Sequence, residues 1–268
     1  MAGSTGEGGG ETVSAKVAFR IADSDVQAEL TVPSGRVPPG AVLPVLHMLE
    51  AIVIEAAEAR LEGEGRRIAC RAGCGACCRQ LVPVSEVEAR HLAGLVAAMP
   101  EPGRSAVRAR FDAALARLAE SGLIDALRGL DSVPREEREA VGLAYFSLGI
   151  PCPFLEDESC SIHEQRPLVC REFLVTSDPV HCSDPAAARV RGVQLPVHLS
   201  NLLARLPDPS GRGPSPRVAL PLIMEFVETH PDELPRRPGP EWVDAVFRLV
   251  SGGGLPAPGG ELPGDRAP

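Results

Sequence analysis

The distribution of cysteine constrains the fold of this chain more than any other sequence feature. Eight cysteines fall into two groups, and the intervening residues 79–151 contain none. The two groups are Cys70, Cys74, Cys77 and Cys78, and then Cys152, Cys160, Cys170 and Cys182. Eight cysteines among 268 residues are too dilute for a disulfide scaffold, in which Cys exceeds about 8–10% of a short secreted chain. Clustered thiols in a reducing compartment are typical of metal sites, with disulfides or buried free thiols as the alternative.

The rest of the sequence sets the expected compartment and argues against two classes of partner. The N-terminal stretch MAGSTGEGGGET has neither the positive region nor the apolar region of a signal peptide, so we expect a cytoplasmic protein. A net charge of −9 and an aromatic content of 3% argue against nucleic-acid binding, which needs a basic face. The most apolar stretch, residues 41–57, contains His47, Glu50 and Glu55, so we expect a buried helix and no membrane partner.

The first cysteine group has the spacing of a metal-binding knuckle. Two residues separate Cys74 from Cys77, which lets the chain fold back so that both sulfurs face one metal. The glycines beside Cys74 permit a positive φ and let backbone N–H groups approach sulfur. Cys70 could add a third ligand from the entry to the loop. Because neighbouring side chains tend to diverge, we expect the adjacent Cys77 and Cys78 to serve two metals, or one metal and another role.

The second cysteine group is predicted to lie in turns. Pro153 fixes a turn beside Cys152, and Arg166-Pro167 begins the helical turn that delivers Cys170. Arginines flank both groups, and their charge would lower thiol pKa values and offset the charge of a tetrathiolate centre. These arginines are Arg71, Arg79, Arg166 and Arg171. Eight thiolates suit two four-cysteine centres of zinc or iron–sulfur; alternatively, a subset holds one centre and the other thiols are structural or redox-active.

Hydrophobic periodicity predicts a mainly α-helical fold with a small N-terminal β-hairpin and irregular cysteine-rich metal-binding loops packed on helices. Apolar residues alternate with other residues over 17–32, as in a hairpin. Ser85 and Glu88 form a capping box at the start of a helix that ends near residue 99. Other helices are predicted over 44–61, 105–130, 135–148, 199–206, 218–229 and 240–250, with a short helix near 163–173 and a short strand at 190–195.

This pattern divides the chain into five segments. The 27 glycines and 27 prolines favour long loops and disordered ends over continuous regular structure. The segments are a disordered N-terminus (1–14), a β-hairpin plus helix (15–62), a cysteine-cluster metal-binding domain (63–190), a C-terminal helical extension (191–250), in which 207–216 is a linker, and a disordered tail (251–268).

The cysteine segments resemble a known family. The run CxxxCxxCC at residues 70–78, followed by CPFL, CSI-x-E-x-RP and CREF, is similar to the YkgJ-type cysteine-cluster family of zinc- or iron-chelating CxxCxxCC domains. The resemblance covers roughly residues 66–185 and implies that all eight cysteines are ligands, with Cys182 at the position of loosest spacing. His163 stands where the family has tyrosine, so it is either an aromatic replacement or an additional ligand. Flagellin lysine-N-methylases resemble the family in this motif.

Three functions follow as hypotheses. The first is a metal-binding protein that holds an iron–sulfur cluster or zinc and acts in electron transfer, in redox sensing or as a cluster-dependent accessory. Iron–sulfur is favoured by the Cys-Pro dipeptide, by the flanking glycines and arginines, and by a number of thiols larger than one zinc ion needs. The second is a structural zinc module for protein interaction, with the helices of 218–250 as a docking surface. The third is an enzyme similar to a protein lysine methyltransferase, although the sequence contains no recognisable methyl-donor site. His163 and His181 are expected to lie beside the ligands rather than to serve as ligands, because eight thiols already suffice.

Overall fold

Helices form most of the fold, and the computed structural model describes residues 11–21, 24–184, 189–207 and 215–251. The helices within these ranges are α1 Leu43–Gly63, α2 Glu86–Ala98, α3 Gly103–Ser121, α4 Ile124–Arg128, α5 Arg138–Ser147, α6 Leu168–Glu172, α7 Leu199–Arg205, α8 Ile223–Thr229 and α9 Gly239–Ser251. The strands are β1 Thr12–Ile21, β2 Ser24–Pro33, β3 Arg36–Val37, β4 Pro83–Ser85, β5 Leu155–Glu156, β6 Ser159–Cys160, β7 Arg217–Ala219 and β8 Arg237–Pro238. The predicted mainly α-helical class with an N-terminal hairpin is confirmed.

The N-terminal hairpin pairs β1 with β2 in antiparallel register, from Thr12 opposite Pro33 to Ile21 opposite Ser24. β1 therefore begins before residue 15, where the sequence predicts the hairpin to start, whereas residues 1–10 lie outside the described residues. An isolated hairpin is only marginally stable, and this one packs on the core through β2. The side chain of Leu30 on β2 is buried in this core. The start of α9 approaches it so closely that a Cβ at Gly239 would lie 2.1 Å from the Pro33 carbonyl oxygen.

α1 is the central helix of the largest core. The segment Pro39–Gly63 is long and apolar enough to cross a membrane by length and composition alone. In the structure its apolar face, which includes Leu46 and Leu49, lies against α6 and α7, in one core cluster with residues of β2 and α9. Trp242 of α9 is fully buried in this core and donates a hydrogen bond from its indole N–H to the Val37 carbonyl at 2.9 Å. The interpretation of this apolar stretch as a buried helix is therefore confirmed.

A second core joins the helices to the second cysteine segment. It contains α2, α3, β7 and α8 together with Phe154 and Ile162, which lie between Cys152 and Cys170 in the sequence. The rings of Phe111 on α3 and Phe154 pack edge to face with centroids 5.4 Å apart. The predicted scaffold of helices beneath the cysteine loops is thus present.

Three predicted elements differ from the structure. The single helix predicted over 105–130 is wrong, because Gly122 adopts a left-handed φ of 72° and ends α3 before α4 begins. The strand predicted at 190–195 is reduced to one bridge between Val175 and Gly192. The helix predicted over 218–229 begins instead as β7, which pairs with β4. The predicted linker 207–216 and the tail beyond Ser251 fall mostly outside the described residues.

Candidate metal centre

The first cysteine segment leaves α1 and ends in a tight turn. Gly73 has a φ of 78°, which a residue with a side chain rarely adopts, so glycine is needed between the first two cysteines. The following residues, Ala76–Arg79, form one 3₁₀ turn that carries Cys77 and Cys78 at consecutive positions. Because a 3₁₀ helix has about three residues per turn, these two side chains leave the backbone roughly 120° apart. The two sulfur atoms nevertheless lie within hydrogen-bond reach of each other, so the predicted divergence of the adjacent cysteines is not seen at their thiols.

The second cysteine segment begins with a small hairpin. β5 and β6 place Leu155 opposite Cys160, and the two turn residues, Asp157 and Glu158, both have positive φ values of 47° and 58°. Two successive residues with positive φ are typical of the type I′ turn that joins two-residue hairpins. Cys152 precedes this hairpin, so its turn brings Cys152 and Cys160 back towards each other.

The two segments are bound to each other by close contacts. The Cys152 N–H donates to the Cys78 carbonyl at 2.7 Å. The Arg79 guanidinium forms a two-point ion pair with Glu158, one arm at 3.0 Å. A Cβ at Gly75 would lie 2.6 Å from a carboxylate oxygen of Glu158 and 3.0 Å from its carbonyl oxygen. Glycine therefore permits this approach without displacement of the Glu158 side chain, which a larger residue would have to push aside.

Helix α6, which carries Cys170, is held in place by a buried carboxylate. Glu88 is 3% exposed and forms the predicted capping box with Ser85 at the start of α2. Its second oxygen accepts the Leu168 N–H, the first amide of α6, at 2.7 Å. One carboxylate thus caps two helices, and it fixes the start of the helix that delivers Cys170.

Cys182 is the most buried of the eight cysteines and lies against the first segment. It is 4% exposed and packs with Val175 and Val190. Cys70 and Cys77 pack against the same small cluster. The side-chain amide of Gln80 also donates to the Cys182 carbonyl at 3.2 Å. Cys182, whose spacing is the loosest part of the motif, is therefore brought to the same place as Cys70 and Cys77.

Burial keeps most of the thiols protonated in the metal-free protein. Burial raises the pKa of Cys152 and of Cys182 to about 12, and it raises the pKa of Cys170 well above the ordinary value. The pKa of Cys77 is instead lowered to about 7, mainly because the Cys78 thiol donates a hydrogen bond to it. A metal that binds these groups must displace their protons, so its affinity depends on pH.

Arg166 is the cation that acts on the cysteines of both segments. Its charge lowers the pKa values of Cys70, Cys77 and Cys160, each as a smaller effect beside burial or hydrogen bonding. The Arg166 Nε is buried and has no hydrogen-bond partner among the described residues. This arginine, which the sequence offers as one of four flanking cations, is therefore placed to offset thiolate charge on both segments. Arg79 forms an ion pair with Glu158 and also interacts electrostatically with Cys78.

The donor set fits a thiophilic metal. All eight cysteines are free thiols, and all lie within the described residues. Among the described residues, no three cysteine, histidine or carboxylate side chains already converge as a ready-made metal site. The contacts described above hold the two segments together, and the donors that these segments carry are thiols. Thiolates of this kind suit zinc, Fe–S clusters and copper(I).

The two histidines considered as ligands differ in their surroundings. His163 is exposed on a 3₁₀ turn of the second segment. His181 precedes Cys182, and its Nδ1 is buried and has no hydrogen-bond partner among the described residues. The expectation that both lie beside the ligands remains a prediction.

A buried acidic cluster beneath the cysteine segments was not predicted. Glu50 of α1 is 0% exposed, and neither of its carboxylate oxygens has a hydrogen-bond partner within the described part of the chain. Burial raises the pKa of Glu50, and the negative charges of Glu172 and Glu88 raise it further. Glu172, in contrast, is satisfied at the start of α7, where it accepts the Ser200 N–H at 2.8 Å. The only sequence signal for this cluster is the presence of Glu50 inside the apolar stretch.

Comparison with known proteins agrees with the cysteine pattern. A family model described as "CxxCxxCC: Putative zinc- or iron-chelating domain" matches residues 69–186. Neither a search of curated proteins nor a search of solved structures gave a significant match. The family match supports metal binding by this part of the chain, and it spans all eight cysteines. Residues 69–186 are therefore similar to the CxxCxxCC family of zinc- or iron-chelating domains.

Proposed function

We propose that the eight cysteines bind metal as thiolates and that the protein works as an iron–sulfur protein in electron transfer, redox sensing or a cluster-dependent accessory role. The observation that carries this proposal is the packing of free thiols from two distant segments in one small cluster, together with Arg166, whose charge acts on cysteines of both segments. Protein thiols that were merely buried would need no cation between them, whereas thiolates bound to metal carry charge that Arg166 can offset.

Iron–sulfur is the preferred occupant for three reasons. The chain supplies more thiols than one zinc ion needs. The turns that carry the thiols contain Gly73 and Gly75, and glycine lets backbone N–H groups come close to sulfur. Hydrogen bonds to the sulfurs and nearby charge are the means by which proteins adjust the potential of such clusters. Arg166 provides the nearby charge.

A structural zinc module is the second candidate, and one observation favours it. Between Cys152 and Cys182 the regular structure consists of two strands of two residues, one helix of five residues and short 3₁₀ turns. Such a segment gains little stability from its own secondary structure. Zinc bound by four cysteines contributes folding energy outright in small domains of this kind. The partner of such a module would be another protein.

A reducing compartment fits either candidate, because free thiols persist there. We therefore propose a cytoplasmic location, with a metal ion or cluster as the ligand.

Metal analysis and an absorption spectrum of one anaerobically purified sample test the proposal. A broad charge-transfer band in the visible range, with iron and acid-labile sulfide in matching amounts, is the expected result. A colourless protein with stoichiometric zinc would contradict the redox proposal and support the structural one. A protein without either metal whose eight thiols all react freely would contradict both.

A further inference from the structure

β1 leaves one edge of the N-terminal hairpin open. It is ten residues long, contains no proline, and pairs with β2 in a two-stranded sheet, with no other strand beside it among the described residues. The register runs from Thr12 opposite Pro33 to Ile21 opposite Ser24 without a bulge. A long and regular edge of this kind is a template for pairing with another chain.

The hydrogen bonds at the base of the hairpin show which backbone groups of β1 point outward. The Ser34 N–H donates to the Glu11 carbonyl at 2.8 Å, so residue 11 lies in a hydrogen-bonded pair. Hydrogen-bonded and non-hydrogen-bonded pairs alternate along an antiparallel ladder. Ser14 and Thr31 therefore form a non-hydrogen-bonded pair, in agreement with their hydroxyl oxygens, which lie 2.7 Å apart. The even-numbered residues of β1 thus point their N–H and C=O groups away from β2.

The outer edge of β2 is obstructed at its end, whereas that of β1 is not. Pro33 has no N–H to offer, and the start of α9 lies so close that a Cβ at Gly239 would be 2.1 Å from the Pro33 carbonyl oxygen. Three residues of β1 whose backbone groups point outward, Ser14, Lys16 and Ala18, are exposed. A further strand can therefore join the hairpin at β1.

The core covers β2 and stops short of β1. Leu30 and Val32 of β2 are each 5% exposed. The residues opposite them on the same face, Ala15 and Val13, are exposed, and Val13 is 41% exposed. A partner at this edge must bring cover for the open apolar face, which a bare peptide strand does not. A second copy of the chain does, because a two-fold axis perpendicular to the sheet keeps both apolar faces, and both cores, on one side.

We infer that two copies of the chain pair antiparallel through β1 and form a continuous four-stranded sheet. An antiparallel pairing of one strand with itself has the symmetry of an isologous dimer. The outward-pointing, even-numbered residues must form the hydrogen-bonded pairs between the copies. A register centred on Val17 meets this condition, uses residues 13–21 of each strand, and places Lys16 opposite Ala18 of the second copy. A register centred on Lys16 would place the two lysines opposite each other, which is destabilising. The pairing does not require bound metal.

Sedimentation equilibrium of the protein as isolated tests the pairing. The wild type should be a dimer with a dissociation constant below about 100 μM. Ala18→Pro should raise this constant by about thirtyfold, because each copy loses one N–H that the other copy needs, while the bonds between β1 and β2 remain. Gln27→Pro is the matched control. Gln27 is exposed directly opposite Ala18 on β2, and the loss of its N–H should leave the dimer unchanged.

Two charge variants test the register. Ala18→Glu would place a carboxylate opposite Lys16 of the second copy, twice in the dimer, and should lower the dissociation constant by about fivefold. Ala18→Lys would place like charges there and should raise the constant by a similar factor. Both variants also serve if Ala18→Pro does not fold, which circular dichroism checks.

The dimer is contradicted if the wild type stays monomeric up to about 100 μM. It is also contradicted if folded Ala18→Pro and Gln27→Pro have the same dissociation constant, because the outward edge of β1 would then play no part. Equal dissociation constants for Ala18→Glu and Ala18→Lys would refute the register centred on Val17.

Discussion

Replacing Glu50 with glutamine should remove a large pH dependence from the stability of the protein. Glu50 is 0% exposed, and its carboxylate oxygens have no hydrogen-bond partner among the residues that the structure describes. Burial, and next the charge of Glu172, raise its pKa from 4.5 to about 9, while Arg171 and Arg166 oppose the change and Glu88 adds to it. At neutral pH the side chain is therefore a neutral acid in the folded protein and a carboxylate in the unfolded chain.

The sign and the size of the effect follow from this difference in pKa. When the pKa of a carboxyl group is higher in the folded protein than in the unfolded chain, its contribution to the free energy of unfolding is fully present below the unfolded-state pKa. This contribution is lost as the pH rises through the folded-state pKa. Between about pH 5 and pH 9, the free energy of unfolding of the wild type should fall by about 1.4 kcal/mol per pH unit relative to Glu50→Gln. From pH 6 to pH 8 the difference should amount to about 2.7 kcal/mol.

Urea unfolding of the metal-loaded proteins, followed by circular dichroism at several pH values, measures this difference. Other groups also titrate over this range, but their effects are common to both proteins and cancel in the comparison. Glu55→Gln is the matched control, since Glu55 is exposed on the same helix, and its stability difference from the wild type should not change with pH. A constant difference between wild type and Glu50→Gln from pH 6 to pH 8 would refute the reasoning, because Glu50 would then be ionised in the folded state.

Three further substitutions test the contacts that assemble the centre. Gly75→Ala should weaken metal retention against a competing chelator, because its Cβ would lie 2.6 Å from the Glu158 carboxylate of the hairpin turn. The control Gly63→Ala, where nothing lies within 4 Å of the added Cβ, should retain metal like the wild type, and equal retention by both variants would count against the close approach. Glu88→Gln should lower the free energy of unfolding by about 1–3 kcal/mol, because the α6 amide loses a charged acceptor; an unchanged urea midpoint would contradict this role. Arg166→Gln should weaken Co²⁺ affinity by about tenfold, the effect of one pKa unit, whereas Arg67→Gln, at an exposed position, should leave the affinity unchanged. Equal affinities of the two variants would contradict the claim that Arg166 offsets thiolate charge.

Local signals predicted the parts of the fold that depend on neighbouring residues. The capping box formed by Ser85 and Glu88 is present because both partners lie within one helical turn. The hairpin follows from its period of two, and α1 follows from its apolar stripe. The predicted divergence of Cys77 from Cys78 is not seen, because their thiols share a hydrogen bond.

Parts of the fold that depend on distant residues were not predictable in this way. The pairing of β4 with β7 joins Val84 to Val218, and no local pattern indicates it. The break at Gly122 was missed because the apolar stripe of the preceding helix suggested continuation. The second role of Glu88, at the start of α6, depends on a residue 80 positions away. The packing of Cys182 beside Cys70 and Cys77 likewise depends on residues that are distant in the sequence.

Alkylation of the protein as isolated, before and after metal removal, tests the central claim most directly. The account predicts that all eight cysteines resist a thiol-specific alkylating reagent while metal is bound and that all eight react, by mass spectrometry, after chelation under reducing conditions. Free reaction of these thiols in the untreated, folded protein would contradict the claim that they are metal ligands.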